Sequence, residues 1–432
     1  MVVGISVIAA LSHYSGYRVG GVMVVPLLVV YTFREPLSPI VFAVGAIAAW
    51  GALWAVREYT LSHGRRVFLV GVVSGVGATV VAAYVLATWT PANLPFDDAE
   101  VVASIFPGVA AYNVMRLDRG ERVGDVLAMT AVFVMLTLLA AGLLFFFEGK
   151  PFPTPPVLAL PTSDLVAWLG VEPRGEPLTP IVPEWLSVAL LIADVSIYEA
   201  VRKRYDLRLA GIIVIPMLAV FSVRLDAVAA VFAVGSILVF ALLSIAHWLS
   251  LLYGRVLLAL SLVLGLSYAL AVIIFVESAL PGLTLFFLGL FVGIAAHNLF
   301  RASPPIRSAS LRISAGLFVL FYAVLFAFVD IPLGGLFSGL DPGYLLVGLL
   351  AVGLAVVELV RLERSRPPEA AFARASVFAK ASVDGTGVDS PLVGGTDASG
   401  SQEELTFTLA ERASTDREDG TEHEVSPEED ES

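Results

Sequence analysis

The chain has 432 residues, of which 58% are hydrophobic and only 15% charged, and its mean hydropathy is +0.87. Soluble domains carry about 25% charged residues, so this composition needs lipid as a solvent and excludes a soluble enzyme or a free nucleic-acid binder. The lack of cysteine excludes disulfides, a thiol nucleophile and thiolate metal sites.

The predicted elements follow in chain order. Apolar runs cover residues 2–11, 19–33, 39–56, 67–89, 101–115 and 126–147. The third, fourth and sixth approach the ~20 residues of a spanning helix. The second and fifth are short and carry Pro26 and Pro107. A Pro-rich stretch at 149–184 reads as an external linker. Six further runs cover 185–200, 209–223, 227–249, 256–276, 283–300 and 313–329, and one extra run covers 344–360. Residues 362–432 hold 17 acidic and 6 basic residues and no apolar period, and read as a disordered acidic tail. Three lysines among 26 basic residues, with an acidic soluble part, suit a high-salt cell.

The chain repeats itself. RVGGVMVVPLLVVYTFREPLSPIVFAVGAI, from Arg18, aligns without gaps on RLAGIIVIPMLAVFSVRLDAVAAVFAVGSI, from Arg208, at an offset of 190. Gly21 falls on Gly211, Pro26 on Pro216, Arg34 on Arg224 and Arg65 on Arg255. PGVAAYNVMR, from Pro107, matches VGIAAHNLFR, from Val292, at an offset of 185. A colinear set of this kind marks a tandem duplication. The expected organisation is repeat one at 1–148, linker at 149–184, repeat two at 185–335, an extra membrane helix at 336–361 and the tail at 362–432. The first run is short against its counterpart, so either the first helix of repeat one is a stub or residue 1 falls inside the true first helix.

Counting basic residues in alternate loops tests the topology. Fifteen fall on one side, including Arg18, Arg65, Arg66, Arg116, Arg255 and Arg301; four fall on the other, including Arg34 and Arg224. The split predicts an all-α polytopic membrane protein with thirteen crossings, the N-terminus outside and the tail cytoplasmic. Within a repeat, VMVVPLLVVYTFR resembles SIFPGVAAYNVMR: each has an internal proline with an arginine eight or nine residues later. Three crossings separate them, which predicts two inverted halves. Paired Pro-interrupted segments point to a conduit or binding site near the midplane, because proline frees a carbonyl that protein or a lined cavity must satisfy. Val292 stands where Pro107 stands in repeat one, so the second proline is lost in repeat two.

GGVMVVP (from Gly20), HGRRVFLV (from His63), PFDDAE (from Pro95) and IFPGVAAYNVMR (from Ile105) together resemble the PgsC/CapC family. The resemblance covers most of residues 5–147 and, more weakly, 190–330. It implies a membrane subunit of poly-γ-glutamate synthesis and export, here as a fused pair. It further implies a separate ATP-dependent amide ligase and other capsule-synthesis proteins as partners, with an anionic polymer as cargo. The sequence itself holds no GxxxxGK[ST] phosphate loop, so no cofactor is expected and ATP chemistry belongs to another polypeptide.

Candidate residues follow from these readings. Arg65, Arg66, Arg116, Arg255 and Arg301 are topology anchors or docking points for carboxylates, which guanidinium binds bidentately. Arg34 and Arg224 oppose the charge bias and are candidates for the external end of an anion path. Pro26, Pro107 and Pro216 mark the interrupted helices. Asn113 and Asn298 are expected to hydrogen-bond between helices. Glu100 is the acid singled out by the resemblance. Asp194 lies half-way along an apolar run, where an ionisable group is functional by default; its counterpart is Gly4. The histidines show no metal-ligand spacing, so no metal site is expected. Two other readings stay open: a stand-alone transporter of a small organic anion, and a scaffold that recruits a ligase. An independent catalytic activity ranks behind these.

Overall fold

The computed structural model describes residues 1–60, 65–89, 104–147, 181–275, 282–332, 335–336 and 342–365. The expected linker and tail lie almost wholly outside these residues. Among the described residues the chain is helical throughout. Repeat one supplies α1 (Val2–Tyr14), α2 (Val24–Arg34), α3 (Ser38–Tyr59), α4 (Arg65–Trp89), α5 (Phe106–Met115) and α6 (Glu121–Phe147). Repeat two supplies α7 (Glu184–Tyr205), α8 (Val214–Arg224), α9 (Ala227–Ser250), α10 (Gly254–Phe275), α11 (Gly282–Arg301) and α12 (Pro304–Phe328), and α13 (Pro342–Ser365) follows.

Helices are the solution that lets an apolar chain satisfy its own backbone in lipid. Large apolar side chains face outward at helical spacing, as Ile40, Val44, Ile47 and Trp54 do along α3. In water such a face is a liability; in a bilayer it is the lipid surface. Eight helices are long and apolar enough to cross: α3, α4, α6, α9, α10, α11, α12 and α13. Among the described residues, thirteen helices stand where thirteen crossings were expected, and eight of them are long and apolar enough to be full spans. Helix α7 has the length but carries Asp194, Glu199 and a basic last turn, Arg202, Lys203 and Arg204.

Helices α2, α5 and α8 have 11, 10 and 11 residues. At 1.5 Å per residue they are about 15 Å long, half a hydrocarbon core. The cause in α2 is the turn before it. Val19 (φ 49), Gly20 (φ 65) and Gly21 (φ 121) all lie in the left-handed region, so the helix starts at Val24, not at residue 19. Pro26 and Pro107 therefore sit in the first turn of their helices, as Pro216 does in α8, and do not kink a longer one. The first-turn amides of a helix have no intrahelical acceptor, so proline there costs little. Where Val292 replaces the second proline, α11 runs unbroken for 20 residues.

The half-length helices are the centres of their repeats. Helix α2 packs on α1, α3, α5 and α6, and α5 packs on α2, α3, α4 and α6. Exchanging α1 with α4, α2 with α5 and α3 with α6 maps each of these neighbours onto another. Pair α1–α2 becomes α4–α5, α2–α6 becomes α5–α3, and α1–α6 becomes α4–α3. Repeat one thus has the pairing pattern of two related three-helix halves. Repeat two keeps most of it, but its α12 packs on α13. Ion pairs of Arg312 with the buried Glu358 (2.6 Å) and of Arg204 with Glu363 (2.5 Å) fasten α13. The two repeats meet reciprocally: α1 packs on α10, and α4, the counterpart of α10, packs on α7, the counterpart of α1. That is an isologous interface inside one chain.

Small residues set a close crossing in each repeat. A Cβ added to Gly108 of α5 would lie 2.8 Å from the Cα of Val72 in α4. A Cβ added to Gly293 of α11 would lie 2.9 Å from the Cα of Leu262 in α10, which is the same pair displaced by the repeat. Backbone-to-backbone packing of this kind drives helix association in lipid.

Candidate functional site

The turn that shortens α2 is held from two sides. Asp125, fully buried on the second turn of α6, accepts hydrogen bonds at one carboxylate oxygen from the backbone N–H groups of Arg18 (2.6 Å) and Val19 (2.8 Å). Its other oxygen has no partner among the described residues. Asn113, near the end of α5, donates from Nδ2 to the Gly20 carbonyl at 2.9 Å. Valine is costly at positive φ, so two anchors on this turn are physically coherent. The corresponding turn before α8 is held in a related way, although only Gly211 of its three counterpart residues has positive φ. Asn298 donates to the Ala210 carbonyl at 3.0 Å, the Ala210 N–H donates to Ser314 Oγ at 3.1 Å, and Ser310 Oγ donates to the Arg208 carbonyl. Asparagines Asn113 and Asn298 are thus repeat-related latches that bond a turn backbone, where bonds between helices were expected.

Arginines gather at this end of the bundle. Arg18 is half-buried in the turn, Arg116 is exposed just after α5, and Arg255 is exposed at the start of α10. Burial lowers the Arg18 guanidinium below the ordinary arginine value; Arg116 lowers it further, and Asp125 works in the opposite direction. Arg255, from the other repeat, interacts with Arg18 and Arg116 across the interface and donates to Ser12 Oγ of α1 at 3.0 Å. Repeat two brings Arg208 and Arg301 within electrostatic range of His297, which is itself buried.

Other basic residues of this end serve the fold. Arg122 donates to the carbonyls of Leu117 and Met115, at 3.0 and 3.2 Å, and so caps the end of α5. Its counterpart Arg307 does the same for α11, through Leu299, Phe300 and Ala302. Last-turn carbonyls lack helical partners, and guanidinium supplies them.

The remaining expected residues divide clearly. Pro26 and Pro216 open the half-length helices α2 and α8, and Pro107 opens α5. Asp194 is fully buried mid-way along α7, and neither carboxylate oxygen has a partner among the described residues. Its counterpart Gly4 lies against the Pro26 ring, so this helix position faces the half-length helix. Arg224 is half-buried at the end of α8. Glu100 and the side chains of Arg34, Arg65 and Arg66 lie outside the described residues.

Two site residues were missed from sequence. Asp125 stands one residue before the sixth apolar run, but the helix starts at Glu121 and turns Asp125 inward. Arg18 was read as a loop charge alone. The usable signal was an acid at the edge of an apolar run that carries no other acid for twenty residues.

The family model described as capsule biosynthesis CapC matches residues 3–123 and, separately, residues 195–307. No curated protein and no solved structure matches the chain. The two matched stretches fall on the two helical repeats and together cover more than half of the sequence. The protein is therefore a multi-pass membrane member of the capsule biosynthesis CapC family, built as a tandem duplicate.

Proposed function

We propose that this chain is the membrane subunit of a poly-γ-glutamate synthesis and export complex. It works beside a separate ATP-dependent amide ligase and other capsule-synthesis proteins. The ligase joins glutamates through their side-chain carboxyl groups, and this chain takes the growing polyanion through the membrane without activating glutamate itself. In this reading the arginine-rich end and the acidic tail face the cytoplasm. The N-terminus and the linker at 149–184 face outward. Residues 1–148 and 185–335 act as paired membrane domains, and 336–361 adds one crossing.

The observation that supports this reading is the pair of half-length helices α2 and α5 at the centre of repeat one. In lipid, irregular backbone is tolerated where protein or an aqueous path satisfies it, and paired broken segments accompany transport sites. Three arginines at one end of this pair suit an entering polycarboxylate.

The test is affinity purification from native membranes in several mild detergents, with identification of the co-purifying proteins. An amide ligase at near-equal amount is the expected result. A chain that emerges alone and shows organic-anion counterflow in proteoliposomes would overturn the synthase reading in favour of a free-standing transporter.

A further inference from the structure

We infer that Arg18, Arg116 and Arg255 form one anion-binding site shared between the two repeats, for a carboxylate-rich chain. The inference rests on the polymer reading above for its ligand, but not for its existence.

Four observations carry it. The three arginines come from three separate elements, the turn before α2, the end of α5 and the start of α10, and hydrogen bonds join those elements: Asn113, three residues before Arg116, donates to the Gly20 carbonyl, two residues after Arg18, at 2.9 Å, and Arg255 donates to Ser12 Oγ of α1 at 3.0 Å; the charges also interact electrostatically. Asp125 and Glu121 act on the cluster and offset part of its charge, and an anion that binds there relieves the repulsion that remains among the three arginines. The cluster is built rather than accidental. The Arg18 backbone is fixed by Asp125, Arg255 is held by Ser12 of the opposite repeat, and the guanidinium of Arg116 lies 5.9 Å from the centre of the Tyr112 ring. It is also repeated, because Arg208 and Arg301, the counterparts of Arg18 and Arg116, both act on His297. By backbone position, Arg65, the counterpart of Arg255, opens α4, and α4 packs on α7 of repeat two as α10 packs on α1 of repeat one.

The location decides between a polymer and a lipid headgroup. Arg18 and Arg116 flank the ends of the central helices α2 and α5, and Arg255 stands on the α1–α10 seam between repeats. None of the three belongs to the outward apolar faces of α3, α9 or α13. A site on the seam and over the central helices meets a chain entering the bundle; a lipid phosphate meets the rim. A further consequence is that one repeat alone lacks an arginine. The duplication then supplies Arg255 to the site as well as area to an interface.

The experiment uses the full chain in neutral-lipid nanodiscs and a fluorescent oligomer of γ-linked glutamate. Binding that weakens steeply with salt is expected. R18Q, R116Q and R255Q are each expected to weaken it about tenfold, as for charged pairs at interfaces. R255K should recover only part of the loss, because lysine keeps the charge but not the bidentate fork. R364Q, on the exposed end of α13, should bind like the parent. Unfolding temperatures close to the parent exclude misfolding, and R255E gives a second variant at the cross-repeat position. Parental affinity in R255Q and R255E overturns the shared site. Arginine dependence that appears only with anionic-lipid nanodiscs, without the oligomer, overturns it in favour of a lipid site. Arginine-dependent binding of inorganic polyphosphate, with none of the γ-glutamate oligomer, keeps the shared site and instead removes the polymer reading.

Discussion

Replacement of Asp125 by alanine is the sharpest probe of how the broken helix is held. One carboxylate oxygen accepts two backbone N–H groups, from Arg18 and Val19. Hydrogen bonds to a charged acceptor contribute about 1.5–3 kcal/mol each. Water at the bundle end replaces part of that, which leaves about 3 kcal/mol for holding the turn locally. Val19 sits at φ 49, a conformation that costs of order 1–3 kcal/mol and relaxes when the turn opens. Since 1.4 kcal/mol is about tenfold in an equilibrium, the amides of Arg18 and Val19 should lose about a hundredfold of hydrogen-exchange protection. Global stability should fall by less, because alanine also removes the desolvation cost of a buried carboxylate. D125N keeps an acceptor and should lose only about tenfold. In repeat two, S310A removes one neutral bond to the Arg208 carbonyl, worth about 1 kcal/mol, and should loosen residues 207–213 about fivefold. The assay is exchange mass spectrometry in nanodiscs. Parental exchange at Arg18 and Val19 in folded D125A would refute the reasoning.

Three more outcomes follow from the same geometry. G108V should lower the melting temperature sharply, because an added Cβ meets the α4 backbone at Val72 and forces the crossing apart; G142A, where nothing lies within 4 Å, should instead stabilise by about 0.5–1 kcal/mol, and equal melting of the two variants would contradict the packing. V292P should destabilise by about 3 kcal/mol, since it removes a hydrogen bond from the middle of the 20-residue α11, whereas P107A in the first turn of α5 should stay within about 0.5 kcal/mol; circular-dichroism melts of both in one detergent decide this. D194N should fold at least as stably as the parent, because the carboxylate oxygens it alters have no partner among the described residues, and polymer output in cells should stop; undiminished output would leave Asp194 without a role in transport.

Much of the fold was legible because lipid makes the code simple. Long runs with no charge, such as those that became α4, α6 and α9, have one stable form in a bilayer, and their ends were found within a few residues. The duplication was visible because Pro26 and Pro216, Gly21 and Gly211, and Arg65 and Arg255 recur in one order. The broken helices were legible only in outline. Proline was read as an interruption, yet the interruption comes from Val19, Gly20 and Gly21, and a valine at positive φ has no sequence signature. The arginine cluster was not legible at all. Its members are 98 and 139 positions apart in the chain, at residues 18, 116 and 255, and only the reciprocal packing of α1 on α10 brings the last to the first two.

The two repeats share an interface but have diverged inside. The reciprocal pairs α1–α10 and α4–α7 require both copies to keep the same outer surface there, and the latches Asn113 and Asn298 bond the backbone at corresponding positions, Gly20 and Ala210. The interior is under a different constraint. Repeat one keeps two half-length helices and a buried acid, Asp125, on their turn. Repeat two has a continuous α11, hydroxyls from Ser310 and Ser314 in place of the acid, and α12 turned toward α13. A pure packing role for the whole chain would ask the same of both interiors, since both face the same lipid. The retained irregular backbone of repeat one costs stability wherever it is not used. The two interiors thus differ in kind: the pair of half-length helices lies in repeat one, while repeat two carries the buried Asp194 and lends Arg255 to the seam.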